Sequence, residues 1–102
     1  MSQHIIKNGK LTARIGFDGP LKGYFLTIVE TMEDGSEALV FSNLNLENSH
    51  PASYEPFIKE LEKHNFAVSN YLIENLSLDS ILPAQGILYW EVQGDELVKI
   101  TQ

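Results

Sequence analysis

Short runs of alternating apolar and polar residues, punctuated by Asn-Gly, Asp-Gly and Gly-Asp pairs, occupy both ends of this sequence, and a helical spacing appears between them. Alternation with period two predicts half-buried strands, and the punctuating pairs predict hairpin turns. The first hairpin is expected to turn at Asn8-Gly9. Pairing Lys7 with Lys10 then sets Ile6 opposite Leu11 and His4 opposite Ala13, leaving Lys7, Lys10, Thr12 and Arg14 on the other face. The second hairpin, centred on Asp34-Gly35, pairs Met32 with Glu37, Glu30 with Leu39 and Ile28 with Phe41. One of its faces collects Leu26, Ile28, Leu39 and Phe41; the other collects Phe25, Thr27, Val29, Ala38, Val40 and Ser42. Neither face is polar, so both strands are expected to be central and covered on both sides, the smaller face by a neighbouring subunit. A third hairpin turning at Gly94-Asp95 pairs Val92 with Leu97, Trp90 with Lys99 (within cation–π reach) and Tyr89 with Ile100.

The middle of the chain changes period. Tyr54, Phe57, Ile58 and Leu61 fall on one helical stripe, with Glu55, Lys59, Glu62 and Lys63 outside it. Ser53 or Ser49 can supply the capping oxygen, a proline at 51 or 56 suits the first turn, and Asn65 is a plausible stop. Residues 66–82 mix helical and strand-like spacing. The expectation is a short helix over 69–77, capped by Ser69, with Tyr71, Leu72 and Leu76 facing inward. Pro83 and Gly86 then mark a loop. These elements predict an α+β fold: one domain over residues 1–102, with an antiparallel sheet built from hairpins and one or two helices packed on one face.

Three glycines and a lysine in "IGFDGPLKGYF" (residues 15–25) suggest a phosphate-binding loop at first sight. Such a loop needs a Ser or Thr after its lysine and a helix after that, so that backbone N–H groups meet the phosphates. Here Gly23 follows Lys22, and the next segment is β-branched and aromatic. Asp18-Gly19-Pro20 instead predicts a tight corner: Asp bonds its own backbone, Gly takes special dihedrals and Pro fixes the next one. The pattern I-G-F-D-x-P-L-x-x-Y-F resembles a motif of small uncharacterised bacterial proteins, in which a strand ends in an aromatic-Asp-x-Pro-Leu corner and an aromatic strand follows. The resemblance covers about the first half of the chain. It implies structure and brings no activity or site residue.

Other chemistry is sparse. Glu60 and His64 stand four apart on the predicted helix, a spacing that suits two metal ligands, but nothing local completes a set; no metal is expected. Ser49 and His50 are adjacent in sequence, which is not the geometry a nucleophile and base require. There is no cysteine, hence no thiolate nucleophile and no disulfide. No cofactor motif is present, so no cofactor is expected, and the chain is read as non-enzymatic.

Charge narrows the partners. The net charge is −7, yet residues 1–29 hold four bases against one acid, a balance of +3, and residues 30–102 hold thirteen acids against three bases, a balance of −10. An acidic body with no basic groove beside its aromatics disfavours direct nucleic-acid binding. No apolar run approaches the roughly 20 residues that span a bilayer, and no signal-peptide pattern is seen. A soluble, cytoplasmic protein without membrane contact is expected.

The function expected is a small acidic protein-interaction module, self-associating as a homodimer, because its two-sided apolar strands exceed what one or two helices can cover. An alternative is an acidic inhibitor or immunity-type protein capping a basic site on a toxin or nuclease. A third is a small-molecule binder with a pocket between sheet and helices. The candidate contact residues are Tyr89 and Trp90 for an apolar interface, and Glu33, Asp34 and Glu37 for an acidic one.

Overall fold

The computed structural model describes residues 2–45, 48–81 and 86–100. Along these the chain forms β1 (Ser2–Asn8), β2 (Leu11–Asp18), β3 (Gly23–Thr31), β4 (Glu37–Ser42), a single 3-10 turn (Asn43–Asn45), α1 (Glu55–Lys63), α2 (Asn70–Ile81), β5 (Gly86–Gln93) and β6 (Glu96–Ile100). The fold is α+β. Its sheet has the order β4-β3-β2-β1-β5-β6, and it is mixed rather than wholly antiparallel. Strands β1 and β5 run parallel, with Ile5 beside Tyr89 and Ile6 beside Trp90, whereas the other neighbours are antiparallel. Hairpin reasoning misses this pair because its strands are far apart in the chain, with β2, β3, β4 and both helices between them, a long connection of the kind parallel pairing requires.

Alternation in each strand sends one set of side chains to a shared core. Ile6, Ala13, Ile15, Tyr24, Leu26, Ile28 and Trp90 from the sheet are buried with Phe57, Leu61, Leu72 and Leu76 from the helices. Each large aliphatic or aromatic side chain so buried contributes about 1.5–3 kcal/mol. Aromatic contacts place the helices. Phe57 meets Phe41 edge-on at 6.5 Å, Tyr54 meets Tyr24 at 5.7 Å, and Tyr71 of α2 meets Trp90 at 5.6 Å. The Tyr24 hydroxyl donates to the Leu76 carbonyl at 2.7 Å, and burial holds its pKa above the ordinary phenol value.

Caps and turns follow local chemistry. The Glu55 N–H donates to Ser53 Oγ and the Leu72 N–H to Ser69 Oγ, both at 3.2 Å. After α1, Asn65 takes a left-handed φ of 64°, and the Phe66 N–H returns to the Leu61 carbonyl. At the 18–23 corner, Asp18 Oδ1 accepts from the Leu21 N–H at 3.3 Å. The left-handed position there is Lys22, φ 52°, not Gly19. Gly23 is needed for another reason: a Cβ on it would strike the backbone carbonyl of His50, where residues 50–51 cross β3 and the Pro51 carbonyl accepts the Tyr24 N–H.

Several registers differ from expectation. The first hairpin turns at Gly9-Lys10, pairing Ile6 with Ala13 and His4 with Ile15. Each strand shifts by one, so the faces are kept. In the second hairpin Ile28 does pair with Phe41, but an irregularity skips Val40 and pairs Leu39 with Val29. Leu39 thereby changes face and is 60% exposed. Strand β4 is an edge strand, not a central one. Helix α2 extends to Ile81, and Tyr71 lies exposed rather than inward. The third hairpin has the expected pairs, although Lys99 Nζ sits over the Tyr71 ring, 5.7 Å from its centroid, instead of Trp90. Pro83 lies outside the described residues.

Candidate functional site

The most organised polar cluster begins with a histidine on an apolar face. Strand alternation carries Ser2, His4 and Ile6 to the core side of β1, and His4 sits in register between Ile15 of β2 and Leu88 of β5. Trp90, two residues beyond Leu88, donates its indole N–H to His4 Nδ1 at 3.1 Å. That bond requires the lone pair on Nδ1 and puts the ring proton on Nε2. Nε2 then donates to Asp79 Oδ2 at 2.8 Å. Asp79 lies three residues after Leu76 and seven after Leu72, so the helical stripe that buries those leucines also delivers a carboxylate. The two side chains are 2% and 10% exposed. Burying such groups is costly unless hydrogen bonds replace water, and the chain Trp90–His4–Asp79 supplies them.

Beside this relay is a cavity of about 230 Å³ lined by Ser2, Gln3, His4, Asn75, Asp79 and Leu88, with Gly86 and Ile87 at its margin. Ser2 is buried, and its Oγ has no hydrogen-bond partner. Serine, histidine and aspartate in one place invite comparison with a hydrolytic triad. The geometry differs: both imidazole nitrogens are engaged by Trp90 and Asp79, which leaves none to take a proton from Ser2.

No family model, curated protein or solved structure matches this chain.

The residues singled out from sequence are dispersed. Trp90 belongs to the core and the relay. Tyr89, its neighbour, points to the second face of the sheet, in register between Ile5 of β1 and Ile100 of β6. Glu33 and Asp34 are exposed at the β3–β4 turn, and Glu37 opens β4. Asp34 Oδ1 accepts from the Ser36 hydroxyl at 2.6 Å and the Ser36 N–H at 2.9 Å; these bonds hold its carboxyl below the ordinary range. Glu37 lines a recess on the second face with Thr12, Arg14, Thr27 and Val29. Three strand spacings, roughly 14 Å, separate β3 from β5, so the apolar and acidic candidates do not form one site.

Glu60 and His64 do meet, Oε2 to Nε2 at 3.1 Å, as a pair on the surface of α1. Among the described residues no three His, Asp or Glu side chains gather as a metal site. The relay itself escaped the sequence reading because His4 and Asp79 are 75 residues apart. The available signal was a histidine alternating with Ile6 on an otherwise apolar strand face.

Proposed function

We propose that this chain is a non-enzymatic protein-interaction module that self-associates through the second face of its sheet, opposite the face on which we read the helices to pack. One observation carries the reading. Ile100, Tyr89 and Ile5 form an in-register apolar row across β6, β5 and β1, flanked by Val98 and Ile87, none of them buried.

Local pairing of opposite charges and the area of the face support a second copy as the occupant. The chain as a whole carries −7, which opposes self-contact at an average surface patch. On this face Lys7 is adjacent in register to Glu91 and Arg14 shares a recess with Glu37, with Asp18 and Glu96 as further acids. Six strands at about 4.8 Å spacing and six residues of about 3.3 Å rise give a flat area of roughly 570 Å². Side-chain relief brings this toward the roughly 800 Å² per partner of a stable interface.

The test is absolute mass by light scattering over a concentration series. A dimer is expected for the native chain and a folded monomer for Ile5→Asp combined with Tyr89→Asp. A native chain that stays monomeric, or a double variant that stays dimeric, overturns the reading.

The acidic-inhibitor reading retains one observation in its favour. Glu30, Glu33 and Asp34 surround an open hollow of about 460 Å³ at the β3–β4 turn, with Lys10 as its one base. A heteromeric complex lost at high salt and lost in Glu33→Lys/Asp34→Lys would favour this reading over self-association.

A further inference from the structure

We propose that the cavity beside His4 is a binding site for a small primary ammonium group. The site shares Gln3 and Ile87 with the rim of the sheet face argued above, but its other polar groups lie on the core side and do not depend on self-association. It lies between the starts of β1 and β5 and the second half of α2. At about 230 Å³ it has room for about seven waters at ~30 Å³ each, or for a ligand of a few heavy atoms.

The chemistry of the lining selects the ligand. Asp79 Oδ2 is taken by His4, which leaves the other carboxylate oxygen for the cavity. Asn75 donates one amide N–H to the Tyr71 carbonyl at 2.8 Å and keeps its carbonyl oxygen as an acceptor beside its second N–H. Ser2, 7% exposed, has a hydroxyl with no partner. Among the described residues the lining contains no lysine or arginine. It is therefore rich in acceptors, and an ammonium brings three donors and no acceptor. An anion would face a carboxylate with no cation beside it.

Charge gives a second, independent reason. Among the described residues the group at ion-pair distance from Asp79 is His4. The Trp90 bond to Nδ1 makes His4 a neutral donor, so it supplies a hydrogen bond and no countercharge. A part-buried carboxylate without a cation is an unfavourable arrangement that a bound ammonium relieves. The relay adds precision: His4 fixes one carboxylate oxygen and thereby aims the other.

The experiment is a nitrogen-15 NMR titration of the full chain with methylammonium, with tetramethylammonium and acetate as controls. Saturable shifts at the Ser2, Asn75 and Leu88 amides are expected with methylammonium and not with either control, because neither control offers N–H donors. Asp79→Asn keeps an oxygen acceptor for His4 but removes the charge. It should weaken binding by about tenfold or more, the effect of losing a hydrogen bond to a charged group. Ser2→Ala, which leaves the relay untouched, should weaken it by a smaller factor. Nα-acetyl-lysine methylamide distinguishes the source of the amine: tighter binding than methylammonium assigns the site to a protein lysine, and weaker binding to a free amine. No saturable response to either amine, equal binding of tetramethylammonium, or unchanged affinity in Asp79→Asn overturns the proposal.

Discussion

The indole N–H of Trp90 and Nδ1 of His4, 3.1 Å apart on parallel neighbouring strands, fix which imidazole nitrogen faces Asp79. Trp90→Phe preserves most of the ring's packing and deletes the donor. It leaves Nδ1 as a buried acceptor without a partner, at a cost of about 1–3 kcal/mol. Trp90→Ala adds the loss of a large core side chain and should cost about 3–5 kcal/mol. Chemical denaturation measures both. In addition, nitrogen-15 spectra of the imidazole should show one tautomer in the native chain and a mixture in Trp90→Phe. Native-like stability in Trp90→Ala would show that the core does not depend on this residue.

The relay should also be coupled. Asp79→Ala strands the His4 Nε2–H in a site where the ring is almost wholly enclosed, again at about 1–3 kcal/mol. Residues sharing one buried network are not additive, and couplings of about 0.5–3 kcal/mol are usual. A double-mutant cycle on Asp79→Ala and Trp90→Phe is therefore expected to give a coupling above about 0.5 kcal/mol. Additive losses would mean that the two bonds to His4 act separately.

What could be read from the sequence divides along local and distant determinants. The third hairpin is legible to the residue because Gly94-Asp95 closes two clearly alternating strands. Helix α1 is legible from its apolar stripe, although its N-cap is Tyr54, without a side-chain cap bond, and Ser53 Oγ accepts from the Glu55 N–H from one residue further out. In the first hairpin the turn was displaced by one residue, yet the face assignment survived because both strands shifted together. In the second, the irregularity at Val40 reversed Leu39, and no local signal announces a bulge. The parallel β1–β5 pair and the His4–Asp79 contact both depend on where the two helices return the chain. That is a property of tertiary packing, which overrides local spacing. Tyr89 and Trp90 were legible as important aromatics; their division between two faces follows at once from alternation once β5 is known to be a strand.

The corner at residues 16–23 gives a contrast between two glycines in one loop. A methyl group on Gly23 would meet the His50 backbone carbonyl, and backbone cannot swing away as a side chain can. Gly23→Ala should therefore cost about 1–3 kcal/mol through strain. Gly19 has open space around it and no positive φ. Gly19→Ala should be neutral or stabilise by up to about 1 kcal/mol, by restricting the unfolded chain. Paired thermal melts decide it, and equal effects at the two positions would contradict the crossing of residues 50–51 over β3.

Tyr24 makes the alkaline limb of stability informative. Burial disfavours its phenolate, and its pKa is raised above the ordinary 10.0. The unfolded chain, whose tyrosine ionises near the ordinary value, therefore loses its proton first as pH rises. The stability associated with Tyr24 is fully present below about pH 10 and is lost as pH climbs toward and through the folded-state value. Tyr24→Phe removes this term. It also removes the hydrogen bond to the Leu76 carbonyl, so at neutral pH the variant should be less stable by about 1 kcal/mol. Above pH 10 its stability should fall less steeply than that of the native chain, and the two curves should converge. Denaturation midpoints across that range test the sign directly. Parallel curves would mean that Tyr24 ionises no differently in the folded and unfolded states.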